Sequence, residues 1–131
     1  MATLDMVGLV VRDMAAALRY YRLLGLEIAP GQEQHEHVAI TLPGGMRLAW
    51  DSEAMMRSIH PEWARPATPQ PGLAFLCESP AEVDALYATL VEAGYSGEKA
   101  PWDAFWGQRY AVVQDPDGHL TDLFAPLPGQ G

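Results

Sequence analysis

A lone carboxylate in a strand, a pair of histidines and a dense run of aromatic rings are the residues of this sequence with chemistry to offer. Asp122 stands in "DGHLTDLF", which alternates like a strand, and a carboxylate there is costly to bury unless a donor, a cation or a metal pairs with it. His35 and His37 flank Glu36, and residues two apart in a strand share a face, so the two imidazoles could bind a metal together. No third ligand is placed beside them, and polar residues at the start of a half-exposed strand are common. "PWDAFWGQRY" gathers Trp102, Phe105, Trp106 and Arg109 into a segment that reads as a loop, where rings suit the stacking of a flat ligand or the plugging of one end of the core. Trp63 carries a weaker form of the same choice. His60 lies in a proline-rich connector, His119 follows a glycine turn and reads as solvated, and Cys77, the sole cysteine, reads as a small buried hydrophobe.

The elements that must position these residues come in two similar passes. Leu4–Val11 is an apolar, β-branched run; Asp13 is a helix N-cap, Met14, Leu18 and Tyr21 follow at helical spacing, and Gly25 is a helix stop. Extended runs are expected near Glu27–Ala29, His37–Leu42 and Met46–Asp51, the last two joined through Pro43-Gly44-Gly45. The second pass starts with the strand "GLAFLCES", and Ser79-Pro80-Ala81-Glu82 combines a capping box with proline at the first helical position. Gly94 ends that longer helix, and extended runs recur near Tyr95–Glu98, Arg109–Gln114 and His119–Phe124, the last pair turning at Asp115-Pro116-Asp117-Gly118. Laying Pro43-Gly44-Gly45 on Pro116-Asp117-Gly118 aligns the halves as duplicated strand–helix–three-strand units. Between them "SEAMMRSIHPEWARPATPQP" reads as an aperiodic connector.

At 131 residues the chain fits one domain, expected as module one at 1–51, a connector at 52–71 and module two at 72–126. The 17 acidic against 8 basic residues leave a formal charge of −9, which repels phosphate backbones and anionic lipid, so no nucleic-acid or membrane partner is expected. A cationic or neutral ligand is favoured. No apolar run approaches the ~18 residues of a bilayer span and no signal peptide is evident, which makes cytoplasmic residence the expectation.

"VGLVVRDMAAALRYYRLLGLEI" and "WGQRYAVVQDPDGHLTDLF" resemble the opening strand and helix and the closing hairpin of the vicinal oxygen chelate superfamily of glyoxalases, extradiol dioxygenases and bleomycin resistance proteins. The resemblance implies an α+β fold in which two βαβββ modules form curved mixed sheets around a central cavity, commonly as a homodimer. It also implies a divalent metal held from the first and fourth strands of each module, which correspond here to Met6, Ala49, Gly72 and Asp122. Ala49 and Gly72 have no donor atom and Met6 offers a thioether, so no metal and no other cofactor is expected.

With Ala49 and Asp122 taken to face the cavity, alternation turns Arg47 and Asp51 inward and sends Trp50 to the helix side as core. The expected site is then ligand-binding rather than catalytic: Met6, Arg47, Asp51, Trp102, Phe105, Trp106, Arg109 and Asp122, with Arg47 or Arg109 as the donor to Asp122. The function it points to is metal-free binding of a small, planar organic molecule, cationic or neutral. Its rivals are a metal-dependent lyase, isomerase or dioxygenase with displaced ligands such as His37 with Asp122, and a metal-free enzyme with Asp122 as general base.

Overall fold

The computed structural model describes residues 1–129, so the last two positions of the expected domain span lie outside it. The chain divides into two compact units, Met1–Arg65 and Pro66–Gly131. In the first unit, strand β1 (Met6–Val11) leads into helix α1 (Met14–Leu23), then β2 (His37–Thr41), β3 (Arg47–Ser52) and helix α2 (Glu53–Ile59). The second unit runs β4 (Gln70–Leu76), α3 (Pro80–Glu92), β5 (Gly97–Ala104), β6 (Gln108–Gln114) and β7 (His119–Pro126). The sheets are mixed, ordered β1-β3-β2 and β4-β7-β6-β5, and neither closes into a barrel.

In both units the first strand pairs parallel with the last, β1 with β3 and β4 with β7, and the remaining pairs are antiparallel. That shared pairing is what a duplicated unit requires, although the helix of the first unit is followed by two strands, β2 and β3, where the sequence predicts three. Helices α1 and α3 start and stop where the sequence signals them. Asp13 accepts from Ala16 N at 3.2 Å, Ser79 accepts from Glu82 N at 3.1 Å, and Gly25 and Gly94 follow the helix ends at φ of 104° and 100°. With 10 residues in α1 and 13 in α3, the second helix is longer by about one turn.

One face of each sheet is covered by its helix. Leu9, Val11, Leu48 and Trp50 are buried with Leu18 and Tyr21 of α1, and the Tyr21 and Trp50 rings meet at 5.5 Å. Trp50 is thus core, as alternation predicts. Thr121, Leu123 and Ala125 of β7 are buried with Ala111 and Val113 of β6 and with Val83 and Leu90 of α3. Cys77 is buried too; burial, with the Glu82 carboxylate beside it, pushes its thiol up to about 11 and keeps it an inert thiol rather than a nucleophile.

Three expectations about elements are corrected. Glu27–Ala29 forms no strand, because the carbonyls of Ile28 and Ala29 accept from the Arg22 guanidinium at 3.2 and 2.8 Å instead of joining a ladder. The connector is not aperiodic coil: Ser52 caps α2 by accepting from Met55 N at 3.0 Å, and none of the helix residues is buried, so no apolar stripe announces it. At its far end, Gln70 already belongs to β4. Finally, β5 reaches Ala104 and takes half of the ring-rich segment out of the loop; as an edge strand it tolerates Pro101, the residue that disguises it in the sequence.

Candidate functional site

The face of the second sheet opposite α3 is built from alternate residues of four strands. Asp122 pairs across with Val112 and with Ala74, and Phe124 with Tyr110, so Tyr110, Val112, Asp122, Phe124 and Ala74 share it. Trp102 pairs with Tyr110 and joins them. The rings make a continuous cluster: Trp102 to Tyr110 at 5.6 Å, Trp102 to Trp106 at 6.0 Å, Trp106 to Tyr110 at 5.3 Å and Phe105 to Trp106 at 5.0 Å, all near edge-on. Tyr110 lies over Phe124 at 6.0 Å with the planes only 26° apart. Phe105 is 97% exposed and Trp106 48% exposed, so the cluster opens outward at the β5–β6 turn.

Asp122 is held by Tyr110, whose hydroxyl donates to Oδ2. The two are diagonal neighbours on adjacent antiparallel strands, within reach of a long side chain. Burial first, then the hydrogen bond and the negative charge of Asp122, push the Tyr110 hydroxyl up to about 12. The sign of the linked stability follows. Below the ordinary tyrosine value of ~10 both folded and unfolded chains keep the proton; between there and about 12 only the unfolded chain loses it, so stability falls as pH rises through that window. A difference titration by ultraviolet absorbance, wild type minus Tyr110→Phe, should isolate one tyrosine ionising near 12. An isolated component near the ordinary value would show that the pair does not form.

The expected arginine donors are elsewhere. Arg109 turns to the helix side, its Nε 2.9 Å from Asp84 of α3 and its Nη1 3.1 Å from Asp103. Position 109 has the opposite parity to 110 and 112, so the register that admits Tyr110 to the open face excludes Arg109. Arg47 pairs with Asp5 at 2.6 Å within the first unit. Tyr110 is the residue missed in the sequence, although counting outward from the Asp115–Gly118 turn would have found it. His119 is not solvated: its side chain is only 15% exposed and its Nδ1 lies 2.8 Å from Asp115, which also accepts from the backbone N–H groups of Asp117 and His119 and so builds the turn.

In the first unit, Met6, Gly8 and Val10 share a face with Arg47, Ala49 and Asp51 and with His37 and Ala39. Asp51 Oδ1 lies 2.5 Å from His37 Nδ1, a contact that holds the orientation of the imidazole. His35 lies outside β2, and Glu36 accepts from Ser52, so the two histidines do not form a strand pair.

The four metal positions implied by resemblance do not fit a metal. Ala49 is fully buried and pairs with Gly8 and Ala39, with no donor among the three side chains. At Gly72 an added Cβ would overlap the Leu120 carbonyl oxygen and lie 3.2 Å from both the Leu120 carbonyl carbon and His119 Cβ, so the backbone leaves no room for a ligating side chain. Among the described residues no group of three or more His, Cys, Asp or Glu side chains is placed to hold a metal ion.

With fold and site in place, the sequence matches the model of the Glyoxalase/Bleomycin resistance protein/Dioxygenase superfamily over residues 3–123, and the chain belongs to that family. Among solved structures it is similar to a glyoxalase/bleomycin resistance protein/dioxygenase from Nocardioides, at 24% identity and a TM-score of 0.75, covering 98% of this chain and 86% of that one. A family enzyme from Burkholderia phytofirmans PsJN is 19% identical with a TM-score of 0.77, covering 96% of this chain and 100% of that one. A glyoxalase-related enzyme from Fulvimarina pelagi is 23% identical with a TM-score of 0.76, covering 100% of this chain and 96% of that one. At these identities the likeness concerns the fold. No curated protein matches the sequence.

Proposed function

We propose that this protein binds a small, planar, cationic organic molecule on the open face of the second sheet through its own side chains, without a metal. The observation that supports this reading most is the ring cluster: Trp102, Trp106 and Tyr110 meet edge-on beside the Asp122 carboxylate while Phe105 and Trp106 stay exposed. Stacking on such rings contributes about 0.5–1.5 kcal/mol per pair beyond area burial, and a cation over a ring face adds a similar amount. The net charge of −9 concentrates cations around the chain. The family name covers resistance proteins as well as dioxygenases, and the misfit at Ala49 and Gly72 favours binding over metal chemistry.

The test is a titration of chelator-treated protein with acridine orange, a planar cation, and with uncharged coumarin, followed by tryptophan fluorescence. Saturable quenching by acridine orange is expected, unchanged by added Zn²⁺, Fe²⁺ or Mn²⁺. Trp106→Ala should weaken both ligands by about 1 kcal/mol, because stacking depends on the ring face. Binding that appears only after a metal is restored would overturn the proposal in favour of a metal-dependent enzyme.

A further inference from the structure

Lys99 is the only lysine in a chain with 17 acidic residues, yet among the described residues its ammonium is paired with a ring and with no carboxylate. Its Nζ sits 4.9 Å from the centroid of Trp102. A regular strand would forbid this contact, since residues three apart point to opposite faces. In β5 the ladder is irregular: Lys99 pairs with Val112 and Trp102 with Tyr110, so three steps on β5 match two on β6. That extra residue is a bulge, a device that re-aims side chains. Because Val112 and Tyr110 lie on the open face with Asp122, the bulge brings Lys99 onto it as well.

We propose that Lys99 is an internal occupant of the cation seat on Trp102, and that a ligand cation binds by displacing it. This rests on the function proposed above and adds its selectivity. The seat is held by a tethered cation in the free protein, so a ligand must outcompete that cation, and flat cations that also reach Asp122 or stack on Trp106 do so best. Uncharged flat molecules gain nothing from taking the seat. Lys99 therefore lowers affinity for the right ligands while excluding weaker cations.

As the sole lysine, Lys99 gives one set of side-chain ε-methylene NMR signals. In the free protein these should be shifted upfield by the Trp102 ring current, and saturating acridine orange should return them to the position of a solvated lysine. Lys99→Met should raise acridine orange affinity about fivefold and leave coumarin affinity within twofold, whereas Lys99→Arg should stay close to wild type because the guanidinium can refill the seat. Absence of an upfield shift in the free protein overturns the internal occupancy. A shift that persists when acridine orange is bound, or a Lys99→Met affinity equal to or below wild type, overturns the displacement while leaving ligand binding intact. If acridine orange binds Lys99→Met but not wild type, Lys99 occupies the seat but is not displaced, and the displacement falls; if it binds neither, both this inference and the proposed function fall.

Discussion

Gly72→Ala is expected to lower the stability of the fold by about 3 kcal/mol, at the upper end of what overpacking costs. The added methyl would overlap the carbonyl oxygen of Leu120, a backbone atom that cannot rotate away. Relief requires β4 and β7 to separate, and their parallel ladder already carries an irregularity between Gln70 and Leu73. Gly8→Ala is the matched control. Its Cβ would find only Asp51 Oδ2, at an ordinary 3.7 Å, so that substitution should be neutral or stabilising by up to about 1 kcal/mol through the unfolded chain. Urea unfolding with a common slope distinguishes the two. If Gly72→Ala unfolds at the wild-type midpoint, position 72 has room for a side chain, and the argument that the backbone excludes a metal ligand there fails.

Asp122→Asn is expected to weaken acridine orange binding by about 1–3 kcal/mol, roughly 5- to 150-fold, the scale of a hydrogen bond or contact that involves a charged group. Asparagine keeps the shape and can still accept from Tyr110, so the change isolates the charge. Coumarin affinity should be nearly unchanged. The same variant supplies an internal check, since losing the negative charge should bring the Tyr110 hydroxyl down from about 12 toward the ordinary tyrosine range, with burial and the retained hydrogen bond still holding it above. Unchanged acridine orange affinity together with a lowered Tyr110 value would show that the carboxylate is present on the face but is not read by the ligand. Retained binding with loss of turnover of some substrate would instead make Asp122 a catalytic group.

Local chemistry determined the elements whose signals are short-range. Asp13, Ser79 and Pro80 begin helices because their side chains or ring satisfy or spare orphan N–H groups, Gly25 and Gly94 end them because they accept positive φ, and Asp115–Gly118 turns the closing hairpin. Period-two alternation sufficed to bury Trp50 and to set Asp122 on the opposite face from Leu123. The α+β duplication was legible for the same reason, since both passes repeat one order of such signals. Tertiary structure alone decided the rest. Arg109 and Tyr110 are adjacent, and only the β6–β7 register says that the tyrosine, not the arginine, reaches Asp122. Lys99 meets Trp102 only because β5 gains a residue against β6, and a bulge leaves no mark in a strand that also carries a proline. Glycine at 72 reads as a missing ligand until the Leu120 carbonyl is seen against it. Each of these depends on where a distant strand lies, and a pattern of one residue in two constrains which face a side chain takes but not which neighbour it meets there.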